Sequence, residues 1–174
     1  RGKKVVVSWA YSGGLKPLAV PQDVAAMFAM LGADVYIAHP PGFELMDEAL
    51  SIAKKYAEYW GSEFKIVYNM DEAFEGAVAV YPKAWSPKKF FPPYNSVVDK
   101  EGAKEYQNKY KDWIVTIERL EKAGKPYYMH CGPADRGQEV ADEVLDSYEK
   151  SLYFEEAENR LHVQKAVMAM VMGE

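Results

Sequence analysis

Short runs of apolar and β-branched residues alternate along this chain with longer segments whose apolar positions recur every three or four residues. The runs Val5–Trp9, Asp34–Ala38, Phe64–Val67, Val78–Tyr81 and Pro126–Met129 are too short and too evenly apolar for half-solvated strands. They read as central strands of a parallel sheet, with a weaker sixth at Ser151–Phe154. Between them the periodicity predicts a helix from about Pro21 to Leu31, with proline in its first turn and Gly32 at its end. A second runs from about Met46 to Trp60 and stops at Gly61. A short one follows Asp71, a polar one spans roughly Lys100 to Asp112, and another leads into Gly124. Strand–helix alternation at this spacing implies right-handed βαβ units. The expected fold class is therefore α/β, a three-layer doubly wound parallel sheet of about five strands, in a single domain over residues 1–174.

Two loops and the last helix depart from this pattern. Ala10–Pro21, with Gly13-Gly14 and two prolines, is too long for a minimal strand-to-helix turn. Ser86–Asn95 carries Pro87, Pro92 and Pro93 around Phe90-Phe91, which excludes a helix interior or a central strand. Long loops at the carboxyl ends of parallel strands commonly carry function; the alternative is a surface insertion. The last helix, about residues 155–172, opens on Glu155-Glu156, which suits the N-terminal end of the helix dipole. From Val163 to Met172 it is apolar on nearly all faces, so it is expected to be buried, and Met168, Met170 and Met172 give it an adaptable contact surface. Either it covers its own sheet or it docks on something this chain does not contain.

Composition narrows the function mainly by exclusion. The 174 residues, 49% hydrophobic and 27% charged, suit one soluble globular domain with a proper core. A net charge of −5 argues against a nucleic-acid partner, which calls for clustered excess Lys and Arg; Lys88-Lys89 is a local basic patch able to hold a small anion. The single cysteine, Cys131, excludes an intrachain disulfide and suits a reducing, cytoplasmic setting. No apolar run reaches the length of a membrane span and no signal peptide is present, so no membrane partner is expected. The chain begins with Arg1 and enters a strand almost at once, which reads as a fragment cut at a domain boundary or as N-terminal processing.

The chemistry concentrates in Tyr128–Val140 and Glu155–His162. An apolar strand that empties into His130-Cys131-Gly132-Pro133 sets a thiol, a backbone carbonyl and a fixed turn at a strand's carboxyl end, where open α/β sheets hold ligands. A Cys–His nucleophile is disfavoured, because neighbours along a strand point to opposite faces, and a buried, inert cysteine is the plainer reading. His39, His130 and His162 fall at no metal-ligand spacing, and neither a metal nor a cofactor is expected. His39 and His130, each ending a strand, are placed either toward one cleft or in structural hydrogen bonds. Gly13-Gly14 is not a dinucleotide fingerprint, which leaves nucleotide binding a weak alternative. Arg136 and Arg160 are candidate anion ligands, since a guanidinium clamps carboxylate or phosphate through two parallel bonds.

These residues together resemble the aspartate/ornithine carbamoyltransferase superfamily, in which a His-Cys-Leu-Pro motif is followed by Gly-x-Glu-Val and then by an Ala-Glu-Asn-Arg helix. The matching segments are His130-Cys131-Gly132-Pro133, Gly137-Gln138-Glu139-Val140 and Ala157-Glu158-Asn159-Arg160. Val7–Ser12, Lys16–Pro21, Ala38-His39-Pro40 and Tyr81-Pro82-Lys83-Ala84-Trp85 narrow the resemblance to the knotted branch, the acetylornithine-, succinylornithine- and YgeW-like carbamoyltransferases. It covers essentially the whole chain, but only the second half of such an enzyme.

The resemblance implies a Rossmann-like domain with a deep trefoil knot, in which the loop Ala10–Pro21 encircles a later segment. It implies that Cys131 contacts the substrates, that Gly132 offers its carbonyl to the carbamoyl amide, and that Arg160 binds carbamoyl phosphate. Lys83 is a partner for a substrate carboxylate; Trp85, His130 and Pro133 complete the substrate-binding set. Glycine at 132 in place of leucine loosens that turn. The family's Ser-x-Arg-Thr phosphate loop and His-Pro-x-Gln histidine do not occur in this sequence, so no complete catalytic set is expected and the chain alone is expected to be inactive. The last helix is expected to pack on the missing N-terminal domain. The parent reaction would be carbamoyl transfer from carbamoyl phosphate to an amine or amino acid. The rival reading is a non-catalytic knotted domain, isolated or engineered as a folding scaffold or as a module that self-associates through the last helix into a homo-oligomer.

Overall fold

The computed structural model describes residues 2–90 and 99–173. Five parallel strands form one sheet, β1 (Lys4–Trp9), β2 (Asp34–Ala38), β3 (Phe64–Val67), β4 (Ala79–Lys83) and β5 (Tyr127–Tyr128), in the order β3-β2-β1-β4-β5. Helices α1 (Ala19–Met30) and α2 (Asp47–Trp60) connect β1 to β2 and β2 to β3. Past β3 the chain returns to the far side of β1, through α3 (Met70–Phe74) into β4 and through α4 (Lys100–Gln107) and α5 (Ile117–Lys122) into β5. With right-handed crossovers this reversal puts α1 and α2 on one face and the later connections on the other. A short α6 (Asp142–Asp146) and a long α7 (Tyr153–Met172) follow.

The local chemistry accounts for these boundaries. Pro21 sits inside the first turn of α1, where its absent N–H would have had no helical acceptor. Gly61 ends α2 at φ +65°, left-handed backbone that glycine adopts without a Cβ clash. Thr116 caps α5 by accepting from the Arg119 amide. Val6, Val7, Trp9, Val35, Ile37 and Val80 are wholly buried between the layers.

Several expectations are corrected. β3 and β5 are edge strands, and Lys65 and Ile66 on β3 are exposed, because a four-residue edge strand is covered on fewer sides than the central ones. The sixth strand reduces to a single parallel bridge between Tyr128 and Ser151, since α7 already begins at Tyr153. The polar helix stops at Gln107 and tightens into a 3₁₀ turn, Asn108–Tyr110, because the Gln107 side chain turns inward to donate to the carbonyls of Ser12 (2.8 Å) and Gly14 (3.2 Å). The second long loop forms a 3₁₀ turn at Lys88–Phe90; its remainder, residues 91–95, lies outside the described residues.

The last helix gives the largest departure. It has no buried residue, and Leu161, Val163, Val167, Met168, Met170, Val171 and Met172 are all at least half exposed. Its apolar surface does not cover its own sheet. No helix among the described residues is long and apolar enough to cross a membrane.

Candidate functional site

The strand order reverses between β1 and β4, so the crevice beyond their carboxyl ends is the switch point at which open α/β sheets bind ligands. Lys83, the last residue of β4, pairs in register with Trp9 at the end of β1, and its carbonyl accepts from the Ala10 amide at 3.1 Å. One strand further out, β5 runs into His130-Cys131-Gly132-Pro133.

Glu139 ties these ends together. Its carboxylate is fully buried and accepts from Lys83 Nζ (2.7 Å) and the Ala84 amide (2.6 Å) on one oxygen, and from the Asp135 amide (2.8 Å) on the other. Burial alone would raise its pKa; the His130 imidazole and the Lys83 ammonium outweigh that and hold it down at about 2. His130 Nδ1 accepts from the Gly132 amide at 2.9 Å, which leaves the ring proton on Nε2. That nitrogen lies 3.3 Å from Glu139 Oε2 but is poorly aligned, so the contact is chiefly electrostatic.

The turn itself is shaped by Gly132, at φ +61°, followed by a cis bond to Pro133. A Cβ at Gly132 would come no closer than 3.4 Å to the Tyr153 hydroxyl; space would admit a side chain, and the left-handed backbone is what favours glycine. Cys131 is half-buried, and burial pushes its thiol up from its ordinary value even though Lys83 and the neighbouring Tyr81 hydroxyl pull the other way. It is therefore protonated at neutral pH and poorly suited to attack. The Tyr81 hydroxyl donates to Glu156 Oε1 (2.7 Å), and Glu156 Oε2 accepts from the His130 amide (2.9 Å).

The loop Ala10–Pro21 is stapled above this crevice by three later segments. Ser12 Oγ donates to Asp135 (2.6 Å), Lys16 Nζ pairs with the same carboxylate (3.0 Å), and the Gly13 amide donates to Gln138 (2.6 Å). Gln107 holds it from α4, and Ser86 accepts from the Lys16 amide at 3.0 Å.

The structure thus brings together Lys83, His130, Cys131, Gly132 and Pro133. Trp85 is buried and donates to the Phe43 carbonyl (2.8 Å), which places its side chain in the core. Arg160 is exposed on α7, one helical turn beyond Glu156. Arg136 forms two bonds with Asp146 and a third with Asp142, so that candidate anion ligand is already occupied. His39 does not share the crevice: β1 and β4 separate β2 from β5 by about 14 Å. His39 is buried, its Nδ1 donates to the Pro40 carbonyl (2.8 Å), and burial lowers its pKa. Sequence reasoning named neither Glu139 nor Glu156 as a site residue. Spacing does not distinguish a buried carboxylate from a solvated one; only the position of Glu139 inside the Gly-x-Glu-Val segment pointed to it.

The cavity of about 180 Å³ near α5 offers no competing anion site, because its Arg119 is held by Asp71 (2.8 Å) and by the carbonyls of Asp112 and Ile114 (3.1 Å each). Among the described residues, no group of three or more His, Cys, Asp or Glu is placed to hold a metal ion.

Residues 7–171 match the family model "Aspartate/ornithine carbamoyltransferase, Asp/Orn binding domain". The chain belongs to that family. It is 36% identical to the "Putative carbamoyltransferase YgeW" of Escherichia coli (strain K12), over 89% of this chain and 44% of that protein. It is 34% identical to the N-acetylornithine carbamoyltransferase of Xanthomonas campestris pv. campestris, over 100% of this chain and 50% of that protein. Among solved structures, an acetylornithine transcarbamylase complexed with acetylcitrulline superposes with a TM-score of 0.92 at 31% identity, covering all of this chain and 50% of that one. The chain thus spans about half the length of the relatives it matches, and this half is the amino-substrate-binding domain of the family.

Proposed function

We propose that this domain supplies the amine-binding side of a carbamoyltransferase site and that it is inactive alone. In the reaction, the amine nitrogen bonds to the carbamoyl carbon, the carbon–oxygen bond to phosphate breaks, phosphate leaves with the electron pair, and the nitrogen gives up a proton. The Gly132 carbonyl accepts from the carbamoyl amide, Cys131 lies against the substrates as a contact, and His130 and Pro133 hold that turn in shape. Lys83, whose ammonium keeps donors beyond the one given to Glu139, faces the acceptor's carboxylate, with Trp85 fixing the segment behind it. Arg160 binds the phosphate of carbamoyl phosphate. The observation that carries this reading is the Glu139 frame, which holds the end of β4 and the His130–Pro133 turn together at the switch point.

Inactivity follows from the donors this sequence does not contain. Carbamoyl transfer depends on positioning and on charge stabilisation at the phosphate, and no Ser-x-Arg-Thr or His-Pro-x-Gln segment occurs in the 174 residues. The exposed apolar end of α7 then packs on the domain that carries them. A trefoil knot through the loop Ala10–Pro21 belongs to the same reading; its support is that Gln107 of α4 and the segment Asp135–Gln138, both far along the chain, hydrogen-bond to the loop.

Calorimetry tests the site. Carbamoyl phosphate, alone and with acetylornithine, should bind weakly to the chain, and Arg160→Ala should abolish the heat. No heat with either compound removes the substrate-site reading and leaves the second one, a self-associating scaffold. That second reading is favoured by a specific observation, the apolar surface of α7. Light scattering that shows a monomer with a well-protected α7 would exclude it.

A further inference from the structure

The helix that carries Arg160 is joined to the body of the domain at very few points. From Phe154 onward its side chains are exposed except for Glu156, which is half-buried. Two further polar side-chain contacts, Asn159 to the Glu155 carbonyl and His162 to Glu158, stay within the helix. Among the described residues, Glu156 ties the helix to the sheet by hydrogen bonds: one oxygen accepts from the Tyr81 hydroxyl at the middle of β4, the other from the His130 amide where the substrate turn begins. Tyr153, just before it, rests its ring against His130 (6.1 Å between centroids) and over Gly132. Arg160 lies one turn further along the same stripe.

We propose that Glu156 is a positioning residue: its two hydrogen bonds set the angle at which α7 leaves the His130–Pro133 turn, and so place Arg160 over that turn. The role rests on the reading of Arg160 and the turn as one substrate site. Among the described residues, this 20-residue helix buries no side chain and meets the core through the partly buried Tyr153 ring at its first position, so that ring and the two bonds at its root govern where a residue one turn along can reach. Both bonds end on elements of the candidate site, which makes this root sensitive to whatever occupies the turn. A carboxylate suits the task because it accepts at both oxygens, and charge-assisted bonds are about twice as strong as neutral ones.

The test uses the 174-residue chain labelled with ¹⁵N. Residual dipolar couplings of the α7 amides report whether the helix is held at one angle to the sheet, and hydrogen exchange reports the His130 bond. Glu156→Ala should reduce the α7 couplings about twofold and speed exchange at the His130 amide about tenfold or more, with the sheet resonances unmoved. Glu156→Gln can accept from His130 and donate to the Tyr81 oxygen, and should restore both readouts. Tyr81→Phe removes one bond and keeps the ring; it should loosen α7 partly, and it decides the matter if Glu156→Ala does not fold. Unchanged couplings in Glu156→Ala, or in Tyr81→Phe where the first variant is unfolded, overturn the proposal. Carbamoyl phosphate is then titrated: weaker binding in Glu156→Ala, recovered in Glu156→Gln, is the result a purely structural role would not give, and undiminished binding overturns the positioning role. No binding to the unmodified chain refutes the substrate reading above, while the couplings still judge the tether by themselves.

Discussion

A fully buried carboxylate is tolerable only when donors surround it, and Glu139 has three hydrogen-bond donors and an imidazole edge around it. Glu139→Ala strands the Lys83 ammonium without its partner, and breaking a buried pair from one side costs about 3–5 kcal/mol; urea unfolding of the two proteins at pH 7 measures this. The same carboxylate predicts an acid limb. Its pKa is about 2 when folded against an ordinary 4.5, so on acidification the unfolded chain binds the proton first. The stabilisation is complete above about pH 4.5 and is lost as pH falls toward 2, on the order of 3 kcal/mol in all. Urea midpoints at pH 5, 4 and 3 should fall steeply for the natural chain and much less for Glu139→Gln. Cys131 gives a prediction of the opposite kind: its thiol is held above the ordinary value of 9.0. Iodoacetamide should alkylate it slowly at pH 7, with a rate that climbs only beyond pH 9; a midpoint below 8 would restore a nucleophilic role. The turn residues His130, Cys131 and Gly132 were legible in the sequence because their types and order are uncommon. Glu139 and Glu156 were not, since an isolated glutamate on a local pattern looks solvated and only tertiary contacts show its donors.

Elements differ in how far their own residues decide them. β2, Asp34–Ala38, and β3, Phe64–Val67, stand where the alternation placed them, because short apolar runs between glycine-capped helices leave little freedom. The ends of the polar helix and of the sixth strand did not, because the inward turn of Gln107 and the early start of α7 are settled by partners far away in sequence. The last helix is the instructive element. Its composition predicted burial, and burial within this chain does not occur. An end that is apolar on nearly all faces calls for a covering surface, and the chain's own sheet does not provide one. Truncation after His162 should therefore leave the domain's stability almost untouched. Removing exposed side chains forfeits no core contact, whereas about 1 kcal/mol would shift the melting point by roughly 2–4 °C in a domain of this size. A thermal scan showing a drop beyond 4 °C would mean that the helix end packs on the body after all.

At the scale of the whole molecule, the doubly wound class was readable from alternation, but the order β3-β2-β1-β4-β5 was not, because periodicity says that a strand is buried and not which strands flank it. That order is what turns separated residues into a site: Lys83 and the His130–Pro133 turn lie some fifty residues apart in the chain and on adjacent strands in the sheet. On the proposed reading, the carboxyl-end crevice would offer a thiol, a carbonyl and a paired lysine, with an arginine supplied from α7, on a molecule of net charge −5. That array can orient an amine, but it offers few cations to a transferring group whose leaving phosphate gathers negative charge. Each preorganised donor at such a charge contributes about 100- to 1,000-fold in rate, so a site short of several of them should fall to the uncatalysed background. We therefore expect no carbamoylated product above background when the chain is incubated with carbamoyl phosphate and acetylornithine. Adding a separately produced amino-terminal half of the Xanthomonas campestris relative should protect the amides of α7 from exchange and produce turnover. Turnover by the chain alone would show that the crevice is a complete active site. Protection of α7 without turnover would confine the defect to the substrate turn, with Gly132→Leu as the next substitution to make.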